Sequence, residues 1–251
     1  MRILLLILIT TYCFGQKKVA SVDLPAGVSY AAIDRPGDLY VIMTDGEALK
    51  FDKDGKTIGK KKFSTLPTLF DPKDGTRAFA YYHELQAVES IAPDLSLGDF
   101  TSLHPEFAVS ALLVCPSKNE FWILDSAAFS LKKTKDKGTA IAYESSFKGK
   151  NPVYMREYLN FLFVLDNGIH VLNNLGKEIH MIDADVRDFG FLGEELYYVT
   201  NSSKPVLQLV DLYTIEKREI PLPYSSQFAF VTDDRMILVD GKKVEFFEFT
   251  P

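Results

Sequence analysis

The side chains best able to do chemistry are oxygen donors that recur at turn-forming positions: Asp45, Asp125, Asp166 with Asn167, Asn201 and Asp240, joined by His83 with Glu84. Gathered on one rim, such carboxylates and amides could hold a hard cation such as calcium, or a polar substrate, because hard cations take oxygen ligands. Tight hairpins demand the same residue types, since Asp and Asn bond their own backbone and tolerate left-handed conformations. Turn chemistry is the simpler of the two roles. The four histidines, His83, His104, His170 and His180, show no HExxH and no other short paired spacing. G-x-S-x-G, a glycine-rich phosphate loop and Cys-x-x-Cys are all missing. No catalytic residue and no metal-ligand set is expected, and calcium stays open only as an ion in a channel or at the rim.

A second group suits recognition better than reaction. Leu66, Leu103, His104, Phe107 and Tyr224 lie in segments punctuated by Pro67, Pro105 and Pro223, with Pro25 and Pro152 in comparable places. Proline stiffens a loop by limiting its unfolded freedom. Stiff loops that carry aliphatic and aromatic groups suit a protein partner. The same groups could instead tuck between neighbouring structural units. The expected partner-binding face therefore comprises Leu66, Leu103, His104, Phe107 and Tyr224, with the turn acids Asp45, Asp125, Asp166 and Asp240.

The elements that must position these residues are short and β-rich. Helical periodicity is nearly absent, and runs of Val, Ile, Tyr and Phe alternate with Asp-Gly, Asn-Gly, Lys-Gly and proline breaks. One strand type returns six times, centred on residues 40, 79, 122, 163, 197 and 237, so successive centres lie 39, 43, 41, 34 and 40 apart. That interval matches the roughly 40 residues of a four-stranded propeller blade. The first unit shows the frame: strands over Val28–Ile33, Asp38–Met43, Ala48–Asp52 and Thr57–Phe63, with Asp45-Gly46 and Asp54-Gly55 as hairpin turns. The last unit has only three strands, and Val19–Leu24 is a spare strand at the other end. Pairing the two closes a ring and removes open edges. The predicted fold is all-β, a six-bladed β-propeller whose last blade is closed by the N-terminal strand. The outer strand between Ile91 and Ala108 is weak and Ser126–Lys137 reads as irregular, so five blades with an insertion, or a sandwich, stay open.

Residues 1–15 carry the order of a secretory signal peptide: Arg2, an apolar run from Ile3 to Ile9, then small residues at Cys13 and Gly15. Residues 16–251 form the single expected domain, and no later run is long enough to span a membrane. Cys13 could mark a lipid anchor, although Tyr12 before it is bulky for that purpose. The other cysteine, Cys115, reads as a small buried apolar residue. Net charge is −6, which argues against nucleic acid as a partner. The lysine runs Lys60–Lys62 and Lys132-Lys133 read as solvated strand edges. Asn201-Ser202-Ser203 matches a glycosylation triplet too short to carry weight.

Gly37-Asp38-Leu39-Tyr40-Val41 and Leu49–Lys56 resemble the frames of NHL- and YWTD-type propellers. The signal peptide, ending Cys13-Phe14-Gly15-Gln16, resembles those of envelope proteins from bacteria with type IX secretion. Cargo of that system normally carries a further C-terminal sorting domain, which the last blade leaves no room for. The resemblance thus implies a periplasmic resident, either free or peripheral at the inner side of the outer membrane, whose partner is a protein and could be an outer-membrane protein. It allows an accessory subunit that closes or regulates a type IX translocon. It equally allows a lactonase-like hydrolase or lyase with a metal ion in the central channel. The expected inner strands are mostly apolar, with Arg156 and Asp188 as their charged members, which favours binding.

Overall fold

The computed structural model describes residues 17–250 except 73, 74, 97, 108, 109, 119, 136–139, 187 and 201–204. The signal peptide, Cys13 and Asn201–Ser203 lie outside the described residues. The strands form six antiparallel four-stranded sheets. Blade one holds β2 (Val28–Ile33), β3 (Leu39–Met43), β4 (Glu47–Phe51) and β5 (Thr57–Lys62). Blade two holds β6 (Leu69–Asp71), β7 (Ala78–Tyr82), β8 (Ala87–Ile91) and β9 (Gly98–Ser102). Blade three holds β10 (Ala111–Ser117), β11 (Glu120–Asp125), β12 (Ser130–Lys135) and β13 (Ala140–Ser146). Blade four holds β14 (Tyr154–Tyr158), β15 (Phe161–Asp166), β16 (Gly168–Leu172) and β17 (Glu178–Ile182). Blade five holds β18 (Gly190–Leu192), β19 (Glu195–Val199), β20 (Val206–Asp211) and β21 (Lys217–Pro221). Blade six holds β22 (Phe228–Val231), β23 (Arg235–Asp240) and β24 (Lys243–Glu248), and β1 (Lys18–Asp23) supplies its fourth strand.

The closure is a continuous ladder, with Ala20 opposite Phe246, Val22 opposite Val244 and Asp23 opposite Lys243. Second strands are the driest elements: β3 and β7 are buried at every residue. A strand flanked on both edges and packed on both faces must be apolar throughout, which is why the aromatic centres found in the sequence fall there. Outer strands β5, β9 and β21 are mostly exposed. Gly46 turns β3 into β4 at φ +85°, and a Cβ there would lie 2.8 Å from the Phe63 carbonyl, so glycine is required.

Three readings change. The weak segment after Ile91 does supply an outer strand, β9, because an exposed strand needs only backbone pairing with β8 and little apolar pattern. The segment judged irregular contains β12, which continues the ladder opposite β11. Lys132 and Lys133 accordingly sit on a third strand and not on a solvated edge. Lys132 reaches Asp125 at 3.1 Å, and Lys133 lies 4.8 Å above the Trp122 ring and 3.6 Å from Glu157. The Lys60–Lys62 run does occupy an outer strand, where Glu47, Glu89 and Asp45 answer its three charges.

Candidate functional site

Two faces of the ring are defined by backbone hydrogen bonds. On one face, the connection to the next blade is tied to the turn between second and third strands in five blades. Phe63 N–H donates to Gly46, Leu103 to Gln86, Phe147 to Phe129, Leu222 to Pro205 and Leu24 to Lys242. Most of the residues singled out by sequence lie on this loop face, and they divide sharply in role. Asp125 is wholly buried, accepting from the N–H groups of Ala127 and Ala128 and holding Lys132. Asp166 accepts the N–H groups of Lys150 and Asn151, both at 2.8 Å. Asp45 accepts the Glu47 N–H at 3.0 Å, and that bond, with Lys62 beside it, holds its carboxyl below the usual range. These acids are turn scaffolding.

The apolar and aromatic candidates divide in the same way. Phe107, expected to be exposed, is 8% exposed and packs in the core against the His104 ring at 5.5 Å. Leu103 is half-buried against that core. Tyr224 donates its hydroxyl to Glu245, whose carboxyl is pulled down to about 2 by Lys243, then by Tyr224 and Lys18. Leu66, His104, Asp45 and Asp240 remain exposed. Three residues on this face escaped the sequence reading: Leu85 (52% exposed), Phe129 (70%) and Val153 (60%). Phe129 ends the β11–β12 turn at φ +50°, where the left-handed region penalises a side chain. The available signal was positional: the blade frame puts Leu85 and Phe129 in second-to-third-strand turns.

The ring axis is polar and aromatic. Tyr30 of β2 meets Phe70 at 6.3 Å, Tyr154 at 6.4 Å and Phe228 at 6.3 Å, joining blades one, two, four and six. Arg156 of β14 lies 3.5 Å from Asp71 of β6 and 5.9 Å from the Phe191 ring. Asp71 was missed because it ends a three-residue strand. Asp188 makes a 2.8 Å hydrogen bond to the Phe189 N–H. Burial outweighs that bond and the Arg156 charge, so its carboxyl rises to about 7.

The far face bears a cavity of about 930 Å³ lined by the first-to-second-strand turns of all six blades. Arg35, Arg77, Lys118 and Arg156 face Asp34, Asp71, Asp233 and Asp234 around it, with Tyr158 stacked on Phe191 at 4.1 Å. This cavity lies on the face opposite most of the residues expected from the sequence. Among the described residues no three His, Cys, Asp or Glu side chains come close enough to share a metal ion. Cys115 is free and buried, and burial pushes its thiol well above the usual range.

No protein-family model and no curated protein matches the sequence. Solved structures do. BamB from Moraxella catarrhalis is 8% identical, covering 93% of this chain and 100% of that one at a TM-score of 0.50. Virginiamycin B lyase from Staphylococcus aureus is 10% identical, with coverages of 92% and 98% and a TM-score of 0.55. A chain of the mitotic checkpoint complex is 10% identical over 100% of both chains, at 0.57. The likeness is one of fold. This chain is a six-bladed β-propeller, and its function rests with its sites.

Proposed function

We propose that this protein is a non-catalytic, protein-binding propeller, an accessory subunit of a periplasmic or outer-membrane complex reached through the signal peptide at residues 1–15. Closing or regulating a type IX translocon is the specific form of this role that the resemblance of the signal peptide allows. The observation that carries the binding role is the arc of exposed apolar side chains on the loop face. Leu66, Leu85, Phe129 and Val153 stand on successive connections and turns of blades one to four. Exposed apolar residues held on a rigid frame are what partner surfaces use. His104, Asp45 and Asp240 provide polar groups on the same face, and Leu103 and Tyr224 support it from below.

The test is capture of the tagged protein from gently solubilised envelopes, comparing the parent with a Leu85→Ser/Phe129→Gly double variant. A stoichiometric partner lost in the variant supports this reading; a parent recovered alone at every salt concentration overturns it. The large charged cavity favours a second reading, a hydrolase or lyase acting there on a small polar substrate. Turnover abolished by Arg156→Gln, with partner capture absent, would establish that alternative.

A further inference from the structure

A second, smaller cavity of about 160 Å³ opens on the loop face between blades five and six. Asp188 and Phe189 line it from the connection into β18, Tyr197 and Tyr198 from β19, and Ser226 and Phe228 from the segment entering β22. It is far below the roughly 300–1,000 Å³ of sites for drug-sized molecules. Its size suits a single slim side chain.

Its polar groups are unfinished. The Ser226 hydroxyl oxygen is buried and completes no hydrogen bond among the described residues, whereas the Tyr197 hydroxyl lies against the Val231 backbone. Buried polar groups are almost always paired, so the Ser226 hydroxyl is a place where an occupant can bind. The Tyr197 ring is there by construction: a Cβ on Gly190 would lie 2.3 Å from it, so β18 carries glycine to admit it. Asp188 is deep in the ring but keeps some accessible surface, which faces this cavity. Among the described residues its carboxyl is answered by the Phe189 N–H and, at longer range, by Arg156.

An occupant should therefore donate hydrogen bonds to a carboxylate and to the Ser226 hydroxyl oxygen. It should also tolerate walls made by the Phe189, Tyr197, Tyr198 and Phe228 rings, whose faces attract cations. We propose that this pocket receives the ammonium group of a lysine side chain presented by the protein partner. Asp188 is the counter-ion, Ser226 is a hydrogen-bond acceptor, and the rings enclose the aliphatic stem. The inference rests on the protein-binding reading and names the chemistry that reading needs.

The direct test is calorimetric titration of the mature protein with Nα-acetyl-lysine methylamide, with n-butylammonium and Nα-acetyl-norleucine methylamide in parallel. Saturable binding of the capped lysine is expected, with the norleucine analogue silent. Asp188→Asn should weaken it at least tenfold and Ser226→Ala several-fold, with each variant folded by circular dichroism. Among the described residues, Arg156, Tyr30, Tyr154 and Tyr197 are the charged or titratable groups that feel the Asp188 charge. Of these only Asp188 titrates near neutrality, so affinity should tighten about tenfold from pH 6 to pH 8 as the carboxylate forms. No binding, or binding that Asp188→Asn retains, overturns the site. Binding of n-butylammonium alone overturns the assignment to a protein side chain. Because the probes are small, this outcome is read separately from partner capture: a pocket that binds capped lysine in a protein that captures nothing sinks the accessory-subunit reading and leaves the pocket.

Discussion

Asp188 is a carboxyl in a largely dry setting, and its ionisation has a signed consequence. Its carboxyl rises to about 7, chiefly because burial disfavours the charged form. In the unfolded chain it titrates near 4, so between about pH 4 and pH 7 the folded state holds the extra proton. Stability contributed by this group is then full at low pH and falls as pH rises through that window. Asp188→Asn removes the dependence. Denaturant titrations should find the variant gaining on the parent steadily from pH 5 to pH 8. Parallel curves for the two would contradict the burial of this carboxyl. Trp122 makes the opposite kind of site, fully satisfied: its indole N–H donates to Glu157 at 2.6 Å, and Lys133 covers its ring and pairs with the same carboxylate. Glu157→Leu orphans both donors and should cost about 2–3 kcal/mol in chemical denaturation.

At the scale of elements, the turn ending at Phe129 separates structure from function. Its φ of +50° is a glycine conformation occupied by a large exposed ring. Phe129→Gly should leave stability unchanged or raise it by about 1 kcal/mol, as relief of a left-handed side chain does. A residue needed for folding would give the reverse. The strand pattern was legible because second strands must be apolar throughout; Tyr40, Phe79, Trp122, Phe163, Tyr197 and Ile237 therefore marked the repeat. Outer strand β9 was hard to see because exposed strands are held by backbone bonds that leave no mark on side-chain type. The acids at turns were visible, but sequence could not say that Asp125 and Asp166 would spend their oxygens on nearby N–H groups. Phe107 and Phe129 look alike in the chain, and only the path of their loops sends one into the core and the other into solvent.

The whole molecule depends on its ring being closed by β1. Removing residues 17–23 strips β24 of its partner and opens an edge bearing Phe246 and Val244. The shortened chain should self-associate through that edge in light scattering, where the parent stays dispersed. Glu245 adds an electrostatic clasp at the same seam, through Lys18 on β1, Lys243 beside it and Tyr224 on the incoming connection. Its carboxyl is held at about 2, below the unfolded value near 4.5. The clasp is therefore fully present above that value and is lost as pH falls towards 2. Glu245→Gln should lose less stability than the parent between pH 5 and pH 2.

A closed, rigid ring with an apolar arc on one face is the centre of this account, and quantitative partner capture tests it most directly. The parent, Phe129→Gly and Arg35→Ser would be compared, the last altering the far face. The account predicts one stoichiometric envelope protein with the parent and with Arg35→Ser, and its loss with Phe129→Gly. Capture that survives Phe129→Gly and fails with Arg35→Ser would contradict it and move the working surface to the charged cavity.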